Sequence, residues 1–379
     1  MSQTRHILNF VVAVFGFALV AACGCCAAHR CEELPAGVEL PAGFHALRGH
    51  ANASDAGDNY EGWPRFIYSH RDRMVMVYVP SQTITMGGGT QPDEVPARQV
   101  HVEHFYVDLH EVTNIQFDCF RRNAGSTSTR SCLGPDAVLG HEAGNPITWI
   151  DHETGYAGGC FNPWEDCGQG AICQYLSYWT PCVNDNHPVR NVSWREAWHY
   201  SDWAHKQLPS EAQWEAAARG DDRRIYPWGN QSQSEVTHYL CNCRTGRDDF
   251  DGYEYTAPVL AYAAGVSPFG AFNMAGNVAE WCGDWYDLGR YAYPSDEDPP
   301  TGLQRGPKPF GDRYYPNPWD KEFPDARVGP MRGSQRAIRG GSFADPIERC
   351  RVDVRSSAGP DVHQNNVGFR TILPLPPKT

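Results

Sequence analysis

The stretch Leu208-Pro209-Ser210-Glu211-Ala212-Gln213-Trp214-Glu215-Ala216-Ala217-Ala218-Arg219-Gly220 is the most legible part of the chain. Ser210 followed three residues later by Gln213 is a capping box, in which each side chain satisfies an amide that the first helical turn leaves free. The alanine-rich turn Glu215–Arg219 propagates the helix, and Gly220 closes it. Immediately upstream, Ser193-Trp194-Arg195-Glu196 repeats the device and opens a helix through about Lys206. Further out, Met74-Val75-Met76-Val77-Tyr78-Val79-Pro80 reads as a strand, and so does Val100–Val107, whose apolar and polar residues alternate at first. His101, His104 and His110 belong on a solvated strand face or loop rather than to a metal. After Arg219 the pattern dissolves into turns and short strands.

Two regions interrupt this core. Residues 119–187 hold six cysteines among Gly, Asn and Pro and read as a disulfide-stapled insertion. Residues 291–335 are dense in Pro, Gly, Asp and Arg and read as a long loop system. Ordered structure is expected from residue 74, after a tether of poor hydrophobic periodicity at 23–73.

The first 22 residues are a leader. Arg5 and His6 precede the apolar run Ile7–Ala22, too short for a comfortable membrane span and suited to a signal-peptide core. Val20-Ala21-Ala22-Cys23 resembles the lipobox of bacterial lipoproteins, so Cys23 is the expected lipidation site and new N-terminus. Ordinary cleavage near Ala22 or an uncleaved anchor compete with it, and all three place the chain outside the cytoplasm, in the cell envelope. There a disulfide framework is expected of the ten cysteines beyond the leader region: Cys119, Cys132, Cys160, Cys167, Cys173, Cys182, Cys241, Cys243, Cys282 and Cys350. No C-x2-C pair repeats as a zinc knuckle would need. The formal charge of −13 argues against nucleic acid and against docking on anionic lipid, and is compatible with divalent cations. With 41% apolar residues, 12 Trp and 18 Tyr, the chain has core enough for one large domain.

Four segments in order carry a family resemblance. They are Phe105–Asn114 (FYVDLHEVTN); His187-Pro188-Val189 with Val192-Ser193-Trp194 and then Leu208–Gly220; Tyr226–Asn230 (YPWGN) with Asn273–Trp281 (NMAGNVAEW); and Arg339-Gly340-Gly341-Ser342-Phe343 with Arg351, Arg355 and Gly368-Phe369-Arg370. Together they resemble the formylglycine-generating enzyme (sulfatase-modifying factor) superfamily over roughly residues 74–373. The resemblance implies an α+β fold: a single compact domain of C-type-lectin-like ancestry, spanning 74–375, with limited regular secondary structure.

It also implies structural calcium. One site maps onto the side chains of Asn273 and Glu280 with the backbone of Gly276 and Val278. The other maps onto Asn242, Cys243, Asp251 and Tyr253, where Cys243 and Tyr253 offer only carbonyl oxygen. Hard oxygen donors of this kind suit calcium. The competing reading makes Asn273 and Asn277 turn formers and pairs Glu280 with an arginine.

The family's aerobic enzymes use copper held by two cysteines five residues apart, shortly after the Gly-Gly-Ser. Counted without gaps from Ser342, those positions are Asp345 and Cys350; counted from Arg351 and Arg355, Cys350 is not a match. A carboxylate does not replace a soft thiolate, so copper is not expected. The family's active-site tryptophan falls on Ala279. Ser342 is the catalytic position kept firmly, Cys350 a second and weaker one. The cysteines that form disulfides in animal members are here Ser201, Ala217 and Thr371, and a structural disulfide is expected for Cys350, with Cys282, Cys241 or Cys243 as partners. Ser342 lacks the G-x-S-x-G setting of a hydrolase nucleophile. Two readings follow: a non-catalytic, calcium-braced module for an envelope protein, peptide or glycan, or an oxidoreductase of altered chemistry.

Overall fold

The computed structural model describes residues 39–46, 59–60, 62–123, 149–151, 156–158, 186–231, 239–244, 252–288 and 334–375. The leader with Cys23, the loop region 291–335 except its last two residues, Asp251 and most of the 119–187 insertion lie outside the described residues.

Both capping boxes form as the sequence dictates. Ser193 and Glu196 exchange hydrogen bonds at the start of helix Trp194–Trp203, and Ser210 and Gln213 do so at helix Glu211–Arg219. Gly220 ends the second helix with φ of 70°, a conformation that costs glycine nothing. The first helix stops three residues before the expected Lys206. His205 takes φ of 58°, and the Lys206 ammonium is drawn into a buried pair with Asp72 and Asp108 at 2.7 and 2.8 Å. A third helix, Asn114–Asn123, was not expected. Its start is shaped by Gln116, whose carboxamide oxygen accepts hydrogen bonds from the Thr113 N–H and hydroxyl.

The expected strand Val100–Val107 is two strands. Arg98–Val102 pairs with Gln82–Met86, and Phe105–Asp108 enters a different sheet, because the chain breaks at Glu103-His104. That sheet runs Phe44–Ala46, Phe66–Ser69, Val75–Val79, Phe105–Asp108, Ile372–Pro374, antiparallel throughout. Regular structure therefore begins before residue 74: two strands of the expected tether complete one edge of the sheet. At the other edge Ile372 faces Val107, so the last strand of the domain pairs with Phe105–Asp108.

Strand periodicity divides the core. Met76, Tyr78 and Tyr106 point into one apolar cluster with Trp194, Trp281 and Phe369, while Val77, Val79, Phe105 and Val107 point into another with Trp214 and Ile372. A sheet covered on both faces needs apolar residues at successive positions, which explains why the strand Val75–Val79 reads as a continuous run. A second sheet orders Arg355–Ala358, Arg336–Arg339, Ala279–Trp285 and Val367–Gly368, the last pair parallel. Its strand Ala279–Trp285 delivers the Asn273–Trp281 motif to the middle of the domain.

Candidate functional site

The Gly340-Gly341-Ser342 turn leaves the strand Arg336–Arg339 with φ of 94° and 66° at its glycines. A Cβ on Gly340 would come within 3.0 Å of the Trp214 ring, and one on Gly341 within 2.7 Å of both the Arg349 carbonyl and Cys350 Sγ. Only glycine permits this approach, which presses Ser342 into a buried position.

There the Ser342 hydroxyl donates to Asp345 Oδ2 at 2.5 Å and accepts from Asn366 Nδ2 at 3.0 Å. The carbonyl of Asn366 in turn accepts from the Ala279 amide at 2.9 Å. Ser342, Asp345, Ala279 and Asn366 thus form one connected group. Asn366 was missed; its only sequence signal is its position two residues before Gly368-Phe369-Arg370. Arg190 flanks this region, its guanidinium lying 5.5 Å from the Phe343 ring centroid and 5.6 Å from that of Tyr255.

Cys350 lies beneath the group, fully buried in an apolar nest with Cys241, Cys243 and Ala275. Burial pushes its thiol well above the ordinary range, and Cys243 and Asp345 push the same way, so it is protonated. The expected disulfide is corrected here: none of the buried Cys241, Cys243, Cys282 and Cys350 is disulfide-bonded, and they pack as small hydrophobes. Cys282 sits in a separate cluster, beside Trp214 rather than beside Cys350. Cys119, at the edge of the insertion, is disulfide-bonded.

These positions do not fit a copper site. The Asp345 carboxylate is a hard oxygen already engaged by Ser342, and Cys350 is a neutral thiol with its sulfur turned to the Pro346 carbonyl at 3.8 Å.

The calcium positions divide. In the Asn273–Glu280 segment, Asn273, Gly276 and Asn277 take φ of 53°, 75° and 62°, so the backbone coils tightly. A Cβ on Gly276 would lie 2.2 Å from the Asn242 carbonyl, which brings the two expected cation segments into contact. Asn273 Oδ1 is buried without a hydrogen-bond donor, which fits an oxygen ligand awaiting a cation. Glu280 does not offer a second. Both its oxygens accept from Arg370, at 2.6 to 2.9 Å, and Oε2 also from the Trp214 indole at 2.7 Å. That is the competing arginine pairing. In the other set, Asn242 Nδ2 donates to the Tyr255 carbonyl, Cys243 is buried, and Tyr253 packs 6.4 Å from Tyr262 between ring centroids.

Glu111 is the buried group that sequence reasoning passed over, although it stands in the quoted Glu111-Val112-Thr113-Asn114 motif. It is fully buried and accepts one amide N–H on each oxygen, from Asn273 and Asn277, both at 2.9 Å. Burial pushes its pKa up to about 8; Arg370 opposes the shift and Glu280 adds to it. His110 beside it is pushed down to about 4, again chiefly by burial, and its Nδ1 donates to the Glu111 carbonyl at 2.7 Å. His101 is exposed and His104 packs against Tyr78, so none of these three histidines gathers with others as a ligand group among the described residues.

Residues 68–375 match the family described as sulfatase-modifying factor enzyme 1-like domain. The chain is similar to the formylglycine-generating enzyme of Thermomonospora curvata, 35% identical over 314 residues, covering 78% of this chain and 92% of that one. It is also similar to the inactive C-alpha-formylglycine-generating enzyme 2 of Bos taurus, 27% identical, covering 78% of this chain and 86% of that one. Among solved structures, PvdO from Pseudomonas aeruginosa shares the fold with a TM-score of 0.54 and 21% identity, covering 80% of this chain and 95% of its own.

Proposed function

The chain belongs to the sulfatase-modifying factor enzyme family, and from that premise we propose that it is a non-catalytic binding module of the cell envelope. The observation that supports this reading is the pair Asp345 and Cys350. Where the copper enzymes' chemistry needs two thiolates, this chain has a carboxylate hydrogen-bonded to Ser342 and a buried, protonated thiol. Ala279 in place of the active-site tryptophan removes an aromatic wall from the same group. The 35% identity to the formylglycine-generating enzyme of Thermomonospora curvata does not weigh against this, because identity is accumulated over the framework while the chemistry rests on these few side chains.

The proposed module is carried on a lipidated Cys23, faces the periplasm or the cell exterior, and presents the Ser342 region to a polypeptide or glycan partner. Calcium is proposed at the Asn242, Cys243, Asp251 and Tyr253 set, with Asn273 Oδ1 as a separate oxygen donor. The lipid is tested by labelling with a fatty-acid analogue, which should tag the wild type and not Cys23→Ser. The function is tested by mass spectrometry of a Cys-x-Pro-x-Arg peptide incubated with copper-loaded protein. No formylglycine product is expected, and robust turnover would move the chain to the oxidoreductase reading.

A further inference from the structure

The strand Phe44–Ala46 precedes the residues matched by the family and adds an outer edge to the main sheet. It pairs with Phe66–Ser69 so that His45 stands opposite Tyr68, and the His70 amide donates to the Gly43 carbonyl at 2.9 Å, extending the pairing by one step. By strand alternation Tyr68 and His70 share a face, and His45 joins them on it. His45 Nδ1 and His70 Nε2 are 2.7 Å apart at the protein surface, with ring centroids separated by 4.4 Å and planes inclined by 38°. Tyr68 lies under both, 5.2 Å from the His45 ring and 5.6 Å from the His70 ring.

We propose that His45 and His70 form a two-imidazole chelate for a divalent d-block cation such as zinc, nickel or copper(II). Imidazole nitrogen suits these ions, and neither ring needs help from a carboxylate to bind them. With metal–nitrogen bonds of about 2.0–2.1 Å, two nitrogens 2.7 Å apart subtend about 80–85° at the ion, close to the cis angle of a square-planar or octahedral centre. Water completes the coordination on the exposed side. The histidine χ2 torsion is broad, so both lone pairs turn outward from the present hydrogen bond with little resistance. In that bond one nitrogen carries the proton, and on binding the donating ring moves it to its other nitrogen so that each ring turns a lone pair to the ion. The backbone pairing of the two strands holds the nitrogens together before the ion arrives, which reduces the ordering cost of chelation.

This proposal is independent of the reading of the Ser342 region. Its test is isothermal titration of the full chain, without a polyhistidine tag, with nickel, zinc and copper(II) salts at neutral pH. One equivalent should bind, and His45→Ala and His70→Ala should each weaken binding by at least about tenfold. The surface variant His101→Ala should leave it unchanged. Electron paramagnetic resonance of the copper(II)-loaded wild type should show two coordinated nitrogens, a readout that does not depend on any variant folding. Absence of binding, a single coordinated nitrogen, or affinity that survives either substitution overturns the proposal.

Discussion

Glu111→Gln isolates a buried carboxyl whose ionisation the fold opposes. The carboxyl is fully buried, and the nearest guanidinium, Arg370, is already bonded to Glu280, so its pKa stands at about 8 against an ordinary 4.5. Because the folded value lies above the unfolded one, the folded state binds more protons between these two pH values. Stability therefore falls as pH rises from about 4.5 to about 8, and the contribution is flat outside that window. At about 1.4 kcal/mol per unit, ionisation in the unfolded chain costs the folded state on the order of 3 kcal/mol by pH 7. A neutral glutamine escapes that cost. Its amide also matches the protonated acid as a donor, and a turn of the Asn273 carboxamide brings Oδ1, now without a donor, to meet it. Urea unfolding of both proteins at pH 5 and pH 8 should show the variant gaining about 3 kcal/mol on the wild type across that interval. A stability difference that does not change with pH refutes the reasoning. A cation held by Asn273 Oδ1 would ionise Glu111 in the fold, so saturating calcium should flatten the slope.

Arg370→Leu should destabilise the fold by about 3–5 kcal/mol in denaturant titration, because it leaves the Glu280 carboxylate buried without a cation. A loss under about 1 kcal/mol would show that the pair is not what holds this junction. Chelator should lower the melting temperature of the purified protein, and restored calcium should recover it. A melting curve indifferent to both, with no calcium in the protein by elemental analysis, rejects the calcium proposal. Iodoacetamide should leave Cys350 unmodified in native protein and label it in denaturant, since its thiol is buried and protonated. Rapid native labelling would contradict the assignment of that sulfur to the core.

The local elements were legible because their causes are local. Ser193 with Glu196, Ser210 with Gln213, and Gly220 each act within one helical turn, so residue order alone dictates the caps. The family motifs were legible for a related reason: a Gly-Gly-Ser turn or an Asn-x-x-Gly-Asn coil is a backbone requirement that few residues meet. What sequence reading could not supply was the pairing of charges and thiols across the fold. Whether Glu280 faces a cation or Arg370, and whether Cys350 meets a partner sulfur or an apolar nest, depends on segments about 90 to 110 residues apart being brought together. The early edge strands at Phe44 and Phe66 were hidden too, since short strands gain their stability from the sheet they join and carry no strong periodicity of their own. The sequence by itself determined the two capped helix starts, the stop at Gly220, the family and the absence of a second thiolate at Asp345. Only the tertiary structure decided which buried groups neutralise one another, because the desolvation that sets their charge exists only once the chain is folded.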